Sequence, residues 1–335
     1  DTTLQKVLMT AFFTTIGFTA SFKLLKKGGT KVIIFLCAAS ALVVLQDIVG
    51  ISLAKVFGLN PLIGLATGSV PMTGGHGTAG AFAPLFEKAG AAGATTVAMA
   101  AATFGLVMGS MIGGPIGRRL IERFNLARNN SPVHTTGQSA ALETEKKELV
   151  PANFASAASQ IILAMGLGTI ISLLFQKLGM TFPSYIGAMF AAAIMRNISD
   201  SAKVFDIPLD EIDILGNISL SLFLSMALMT LKLWELAELA VPLVVMLLAQ
   251  TVLMGLFAYF VTFNIMGRDY EAAVITSGHC GFGMGATPNA IANMEAIAGK
   301  FGAAPAAFFI LPLVGSLFID FCNAGIITTF MNIIG

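Results

Sequence analysis

An all-α protein that crosses a membrane several times is the fold class this sequence predicts, and three observations carry that prediction. Charged residues make up 11% of the 335-residue chain and hydrophobic ones 56%, whereas soluble domains carry roughly 25% charged residues. Mean hydropathy is +0.84, and several apolar runs reach the about 20 residues that a helix needs to span a bilayer core. Two glycine-rich stretches interrupt these runs, one in each half of the chain. Period-2 alternation in segments of ~10 residues, the mark of a membrane β-barrel, is absent.

Net charge is +1, which supplies no basic surface for nucleic acid and no polybasic membrane anchor. Cys37, Cys280 and Cys322 sit in apolar segments without CxxC spacing. They read as small, reduced packing residues, not as a disulfide or metal framework.

In chain order, residues 4–22 form a first hydrophobic helix, and Lys23, Lys26, Lys27 and Lys31 follow around Gly28 and Gly29. That basic cluster marks a cytoplasmic loop by the positive-inside rule. Residues 32–53 are a second span, broken by Gln46 and Asp47, and a turn on the outside reaches Pro61. Residues 62–82 hold the first glycine-rich stretch, and Glu87 and Lys88 mark an exposed loop. Residues 93–117 are rich in Ala and Gly, which let helices approach closely, and Arg118, Arg119, Arg123 and Arg128 end that span inside. With both flanking spans given a side, the 62–82 segment must enter from outside and return there.

Residues 125–151 read as a polar cytoplasmic linker, with His134 solvated among polar neighbours. Spans at 152–175, 185–195, 214–231 and 239–265 follow, with a polar connection over 200–213 and Trp234 as an interfacial anchor. Arg268 places the next loop inside, so the second glycine-rich segment, 271–297, also turns back, from the opposite face. A last span covers 305–334.

The two stretches are Ser69-Val-Pro-Met-Thr-Gly-Gly-His-Gly-Thr-Ala-Gly-Ala81 and Ser277-Gly-His-Cys-Gly-Phe-Gly-Met-Gly-Ala-Thr-Pro288. Irregular backbone at membrane depth survives only where it lines a protein cavity, and a pair of such interruptions points to a transport site. The halves overlay: sequence offsets run from 204, Gln46 to Gln250, to 209, Thr78 to Thr287. Their charge-derived orientations are opposite, which defines an inverted repeat. The domain reading is therefore a first repeat half over 1–124, the linker over 125–151 and a second half over 152–335. Two spans precede the repeat unit of the second half alone, so two further helices are expected before Asp1.

Thr287 suits an N-cap and Pro288 a first helical position, and Thr78 would cap a helix at the first tip. Two helix N-termini aimed at one cavity favour an anion, and a dicarboxylate would use both. Candidate ligand-binding residues are Thr73, Gly74, Gly75, His76, Gly77 and Thr78 at the first tip. At the second they are His279, Gly283, Gly285, Thr287 and Asn289, with Asp320 beside them. Intramembrane charges are costly and usually functional, and Asn323 shares a helix face with Asp320. Ser277, Asp320 and Asn323 are the sodium candidates on chemical grounds, and Asp320 has the alternative role of neutralising a substrate ammonium. For His76 and His279, ligand contact stands beside a neutral ring bonded to nearby backbone. Asp47 reads as facing a polar neighbour such as Gln46.

These residues resemble a known family. Gly74-Gly-His-Gly-Thr78, the run from Gly278 to Pro288, Ala290-Ile-Ala-Asn-Met294 and Leu215-Gly-Asn-Ile-Ser-Leu-Ser-Leu-Phe-Leu224 are similar to the bacterial sodium/glutamate symporters. So is Ala227-Leu-Met-Thr-Leu-Lys-Leu-Trp-Glu-Leu236, and the likeness covers most of the chain outside the linker. The resemblance implies a homodimeric, multi-pass protein of the bacterial inner membrane, surrounded by lipid, that carries L-glutamate inward with Na+. It also implies scaffold and transport domains that work as an elevator, as in the related 2-hydroxycarboxylate carriers. No cofactor beyond the coupling ion and no nucleic acid is implied.

Competing readings are the same machinery moving another di- or tricarboxylate, a metal-dependent intramembrane enzyme using His76, His279 and Asp320, and an anion channel. Three single residues are thin for a metal site, which favours converging ligands with an oriented second shell.

Overall fold

A computed structural model describes residues 2–126, 151–177, 184–202, 205–229, 231 and 234–334. Most of the expected linker, including His134, lies outside the described residues. Among those described there are helices and turns but no strand.

In chain order the α-helices are α1 (Thr2–Thr19), α2 (Phe22–Val56), α3 (Pro61–Leu65), α4 (Ser69–Met72), α5 (Gly75–Lys88), α6 (Ala94–Phe124), α7 (Pro151–Lys177) and α8 (Ser184–Ala202). They continue with α9 (Leu209–Leu228), α10 (Glu235–Phe257), α11 (Phe263–Ile265), α12 (Tyr270–Gly283), α13 (Thr287–Phe301), α14 (Pro305–Pro312) and α15 (Ile319–Ile334). π-helical turns at Ala258–Thr262 and Leu313–Phe318 join α10 to α11 and α14 to α15. Six segments among the described residues are long and apolar enough to cross a membrane: Gly28–Val56, Ala94–Phe124, Pro151–Leu174, Leu209–Leu228, Leu239–Ile265 and Pro305–Ile334.

Several boundaries differ from the sequence reading. The basic cluster forms no extended loop but a kink: the run Phe22–Val56 is two helices that break at Gly29, φ 70°, and the span proper is Gly28–Val56. Glycine alone takes such a backbone without steric cost. The span expected at 93–117 runs on to Phe124, so Arg118, Arg119 and Arg123 lie on helix, and Arg118 pairs with Glu122 at 2.6 Å one turn on. Part of the 200–213 connection belongs to the first turn of α9, where Asp210 and Glu211 suit the positive end of the helix dipole. α1 is helical as expected but falls outside the six spans. Its hydroxyls fold back onto its own carbonyls, Thr10 to Lys6, Thr14 to Thr10 and Thr15 to Phe12 at 2.7–2.8 Å.

The chain parts into two compact units, Asp1–Lys27 with Thr144–Leu231, and Gly28–Glu143 with Lys232–Gly335. In the first, α1, α7, α8 and α9 enclose a core of Phe18, Ile161, Ala191, Ala192, Met195 and Ile212. Phe13 stacks on Tyr185 with ring centroids 4.5 Å apart. Arg196 bonds Asp200 at 3.0 Å near its edge.

The second unit holds both glycine-rich stretches. Asn60 caps α3 by accepting from the Leu62 N–H at 2.9 Å with Pro61 next in line, and Asp269 caps α12 through the Ala272 N–H at 2.7 Å. α12 and α13 pack on α6 along Gly105, Gly109, Gly113 and Gly117, a stripe spaced four residues apart. A Cβ on Gly105 would overlap the Met284 carbonyl, and one on Gly113 would lie 2.6 Å from the Ser277 carbonyl. Only a bare backbone permits that approach.

Candidate functional site

Both stretches are more helical than their glycine content suggests. Backbone breaks are confined to 73–75 and to 284–286, because His76, Gly77 and Thr78 lie in α5 and Gly278 to Gly283 lie in α12. Gly75 takes φ 61°, and the position of a Cβ on it is 3.1 Å from the Gly285 carbonyl. The two breaks are therefore neighbours, backbone against backbone.

One glutamine ties them. Gln46, fully buried in α2, donates from Nε2 to the Gly283 carbonyl at 2.7 Å, while its Oε1 accepts from the Thr73 hydroxyl at 2.8 Å. Gln250 of α10 donates to the Gln46 carbonyl at 2.8 Å, and its own buried Oε1 has no partner. A buried amide in this position is informative, since each unfilled polar group is expensive in an apolar interior.

The expected caps are corrected. Ala286, not Thr287, is the N-cap of α13 and makes no side-chain cap bond, and the Thr287 hydroxyl instead donates to the Gly315 carbonyl at 2.9 Å. Thr78 lies within α5, whose N-cap is Gly74, and its side chain packs on that glycine. At Thr287 a neighbouring element outcompetes the local cap, and at Thr78 the helix simply starts one turn earlier.

The remaining candidates separate into groups. His76 bonds the Thr103 hydroxyl of α6 at 3.0 Å. Asn289 donates to the Leu106 carbonyl and the Ser110 hydroxyl, both at 2.9 Å, so these two residues set the tips against α6. Gly77 is buried in α5. His279 is fully buried one turn below Gly283, boxed by Phe35, Phe257 and Phe282 with centroids at 5.0, 6.0 and 4.8 Å. Its Nδ1 pairs with the Thr262 hydroxyl at 2.8 Å and Nε2 has no partner. The ring is thus held by a side chain of the π-helical turn, not by nearby backbone.

The sodium candidates are not drawn together by shared bonds. Ser277 donates to the Asn293 carbonyl at 3.4 Å, beside Gly113 and Gly117. Asn323 donates to the Ser69 carbonyl at 3.3 Å, and Asp320 stands one turn before it on α15. Among the described residues no three His, Cys, Asp or Glu side chains form a group fit for a metal ion.

Asp47 is where the sequence reading fell short. It does not turn to Gln46: its carboxylate accepts from the Ser69 N–H at 2.8 Å and the Ser69 hydroxyl at 3.0 Å, fully buried. The adjacency of Gln46 and Asp47 in an apolar run was the available signal, and their bonding partners were not.

The family model described as sodium/glutamate symporter matches residues 1–303. The sodium/glutamate symporter of Escherichia coli strain K12 is 43% identical over 336 residues, 99% of this chain and 83% of that protein. The Haemophilus influenzae sodium/glutamate symporter is 40% identical over 330 residues, 98% of this chain and 82% of that protein. Likeness at this level, carried through nearly every element described above, places the chain in the sodium/glutamate symporter family.

Proposed function

We propose that the protein carries L-glutamate across the bacterial inner membrane together with Na+, by alternating access. It is a multi-pass transporter and not an enzyme. The observation that carries this reading is the meeting of the two broken stretches at the Thr73–Gln46–Gly283 bridge, in a chain of this family. Broken helices that meet inside a membrane protein are the usual form of a substrate site.

In this reading the stretches near 62–82 and 271–297 are re-entrant hairpins of opposite orientation. They belong to inverted repeat halves at 1–124 and 152–335, joined by the linker at 125–151. Thr73, Gly74, Gly75, His76, Gly77 and Thr78 face the substrate from one tip, and His279, Gly283, Gly285, Thr287 and Asn289 support it from the other. Asp320 answers the substrate ammonium or, with Asn323 one turn on, serves Na+; Ser277, bonded to Asn293 beside Gly113 and Gly117, stands apart from that pair. Two compact units suit a scaffold and a moving transport domain in a homodimeric elevator embedded in lipid.

Labelled L-glutamate uptake into proteoliposomes, with and without an inward Na+ gradient, tests this. Gradient-driven accumulation that Asp320→Ala abolishes is the expected result. Accumulation without any Na+ dependence would sink the coupling, and uptake of dicarboxylates in preference to glutamate would move the substrate class.

A further inference from the structure

The carboxylate of Asp47 has no cationic partner among the described residues. Both of its hydrogen bonds come from one residue, Ser69, through the backbone N–H at 2.8 Å and the hydroxyl at 3.0 Å. It is fully buried in the middle of an apolar helix. An ionised group in that position needs a compensating charge.

A second, independent feature lies at the backbone of the same serine. Asn323 is fully buried, its Nδ2 reaches the Ser69 carbonyl at 3.3 Å, and its Oδ1 has no hydrogen-bond partner. Turning the amide over would set Oδ1 against the Ser69 carbonyl, an acceptor facing an acceptor. Either orientation leaves an unmet demand for positive charge. A proton on Asp47 would neutralise the carboxylate but leave the Asn323 oxygen unfilled, whereas a hard cation takes several oxygens at once. One carboxylate matches one positive charge.

We infer that Asp47, the Ser69 hydroxyl and Asn323 Oδ1 form a Na+ site beneath the first tip. Asn323 is shared with the ligand set chosen on chemistry alone, and Asp47 and Ser69 are new. The corresponding serine of the second stretch, Ser277, lacks these features: the Asn293 Nδ2 nearby is committed to the Gly109 and Ser277 carbonyls at 2.9 and 3.3 Å. The site also explains coupling. The Ser69 carbonyl accepts from the N–H groups of Thr73 and Gly74 at 3.1 and 2.9 Å, so a cation that fixes Ser69 fixes the tip that meets substrate.

This inference rests on the symport reading, and one experiment separates the two. Glutamate uptake by the full protein in proteoliposomes is measured against Na+ concentration for wild type, Asp47→Asn and Ser69→Ala. The Na+-dependent rise in melting temperature of the same purified proteins is measured beside it. The expected result is Na+-driven uptake in wild type and a half-saturating Na+ concentration raised roughly tenfold or more in both variants. Apparent glutamate affinity at saturating Na+ should stay within about threefold of wild type. Folded variants with wild-type Na+ dependence would overturn the site while leaving symport standing. Uptake indifferent to Na+ in wild type would overturn both. Ser69→Ala retains the N–H bond to Asp47, so it carries the test if Asp47→Asn fails to fold.

Discussion

The two glycine-rich stretches draw on the same residue types and are held by different physics. In the first, α3 packs backbone on backbone against α2 at Gly50 and Gly64, but from Ser69 to His76 the chain is anchored by side chains: Asp47 to Ser69, Gln46 to Thr73, Asn323 to Ser69 and His76 to Thr103. The second, α12 and α13, is longer and lies backbone to backbone against the glycine stripe of α6, with Asn289 and Asn293 bonding α6 carbonyls. Polar anchoring can be rearranged by a ligand or ion that competes for the same atoms. Close packing of bare backbone has little such freedom, because interiors tolerate almost no added volume. The first tip is thus held by bonds that a competing ligand or ion could exchange, and the second by packing that it could not.

The largest effect is expected where that contrast is most rigid. Gly105→Val would drive a branched side chain into the Met284 carbonyl, whereas Gly114, on the same helix, has nothing within 4 Å of a Cβ. Overpacking costs about 1–3 kcal/mol and occasionally more, so Gly105→Val should lower the melting temperature sharply or abolish folding while Gly114→Ala leaves it unchanged. Similar melting curves for the two variants, followed by fluorescence of purified protein, would break the comparison.

A middle-sized effect is expected at the bridge. Gln46→Leu removes one partner each from the Gly283 carbonyl and the Thr73 hydroxyl and leaves them only their mutual bond at 3.4 Å, a loss of the order of a typical buried hydrogen bond, about 0.5–1.5 kcal/mol each. Stability should fall and Na+-driven uptake should fall with it. Normal uptake in a stable Gln46→Leu protein would mean that the two tips do not depend on this contact. Smallest of all, Glu122→Gln removes an exposed pair with Arg118, a type of interaction worth about 0.3–0.5 kcal/mol. No measurable change in melting or uptake is expected, which makes it the control for the other two.

Much of the fold was legible in advance. Apolar runs of bilayer length located the helices of all six candidate spans, and the glycine-rich stretches marked where the backbone breaks. Ends were less legible. The helix at Ala94–Phe124 runs two turns past the position where its arginines were expected to stop it, because an arginine costs a helix nothing once the chain has left the apolar layer. The caps failed for a related reason: Thr287 is chemically suited to capping, but the Gly315 carbonyl offered a tertiary partner. Asp47 was read as bland because its nearest polar neighbour in sequence was Gln46, when its partner in space is Ser69.

Hydropathy and helical length by themselves determined that this chain is an all-helical membrane protein with two interrupted segments, since both are local properties of consecutive residues. Tertiary structure alone decided that Asp47 meets a serine 22 residues on, that Asn323 reaches back 254 residues to the same serine, and that Gln46 spans to Gly283. Those pairings are absent from any local pattern because helix propensity acts over single turns. A buried polar atom, by contrast, takes whichever partner the packing of distant helices brings within about 3 Å.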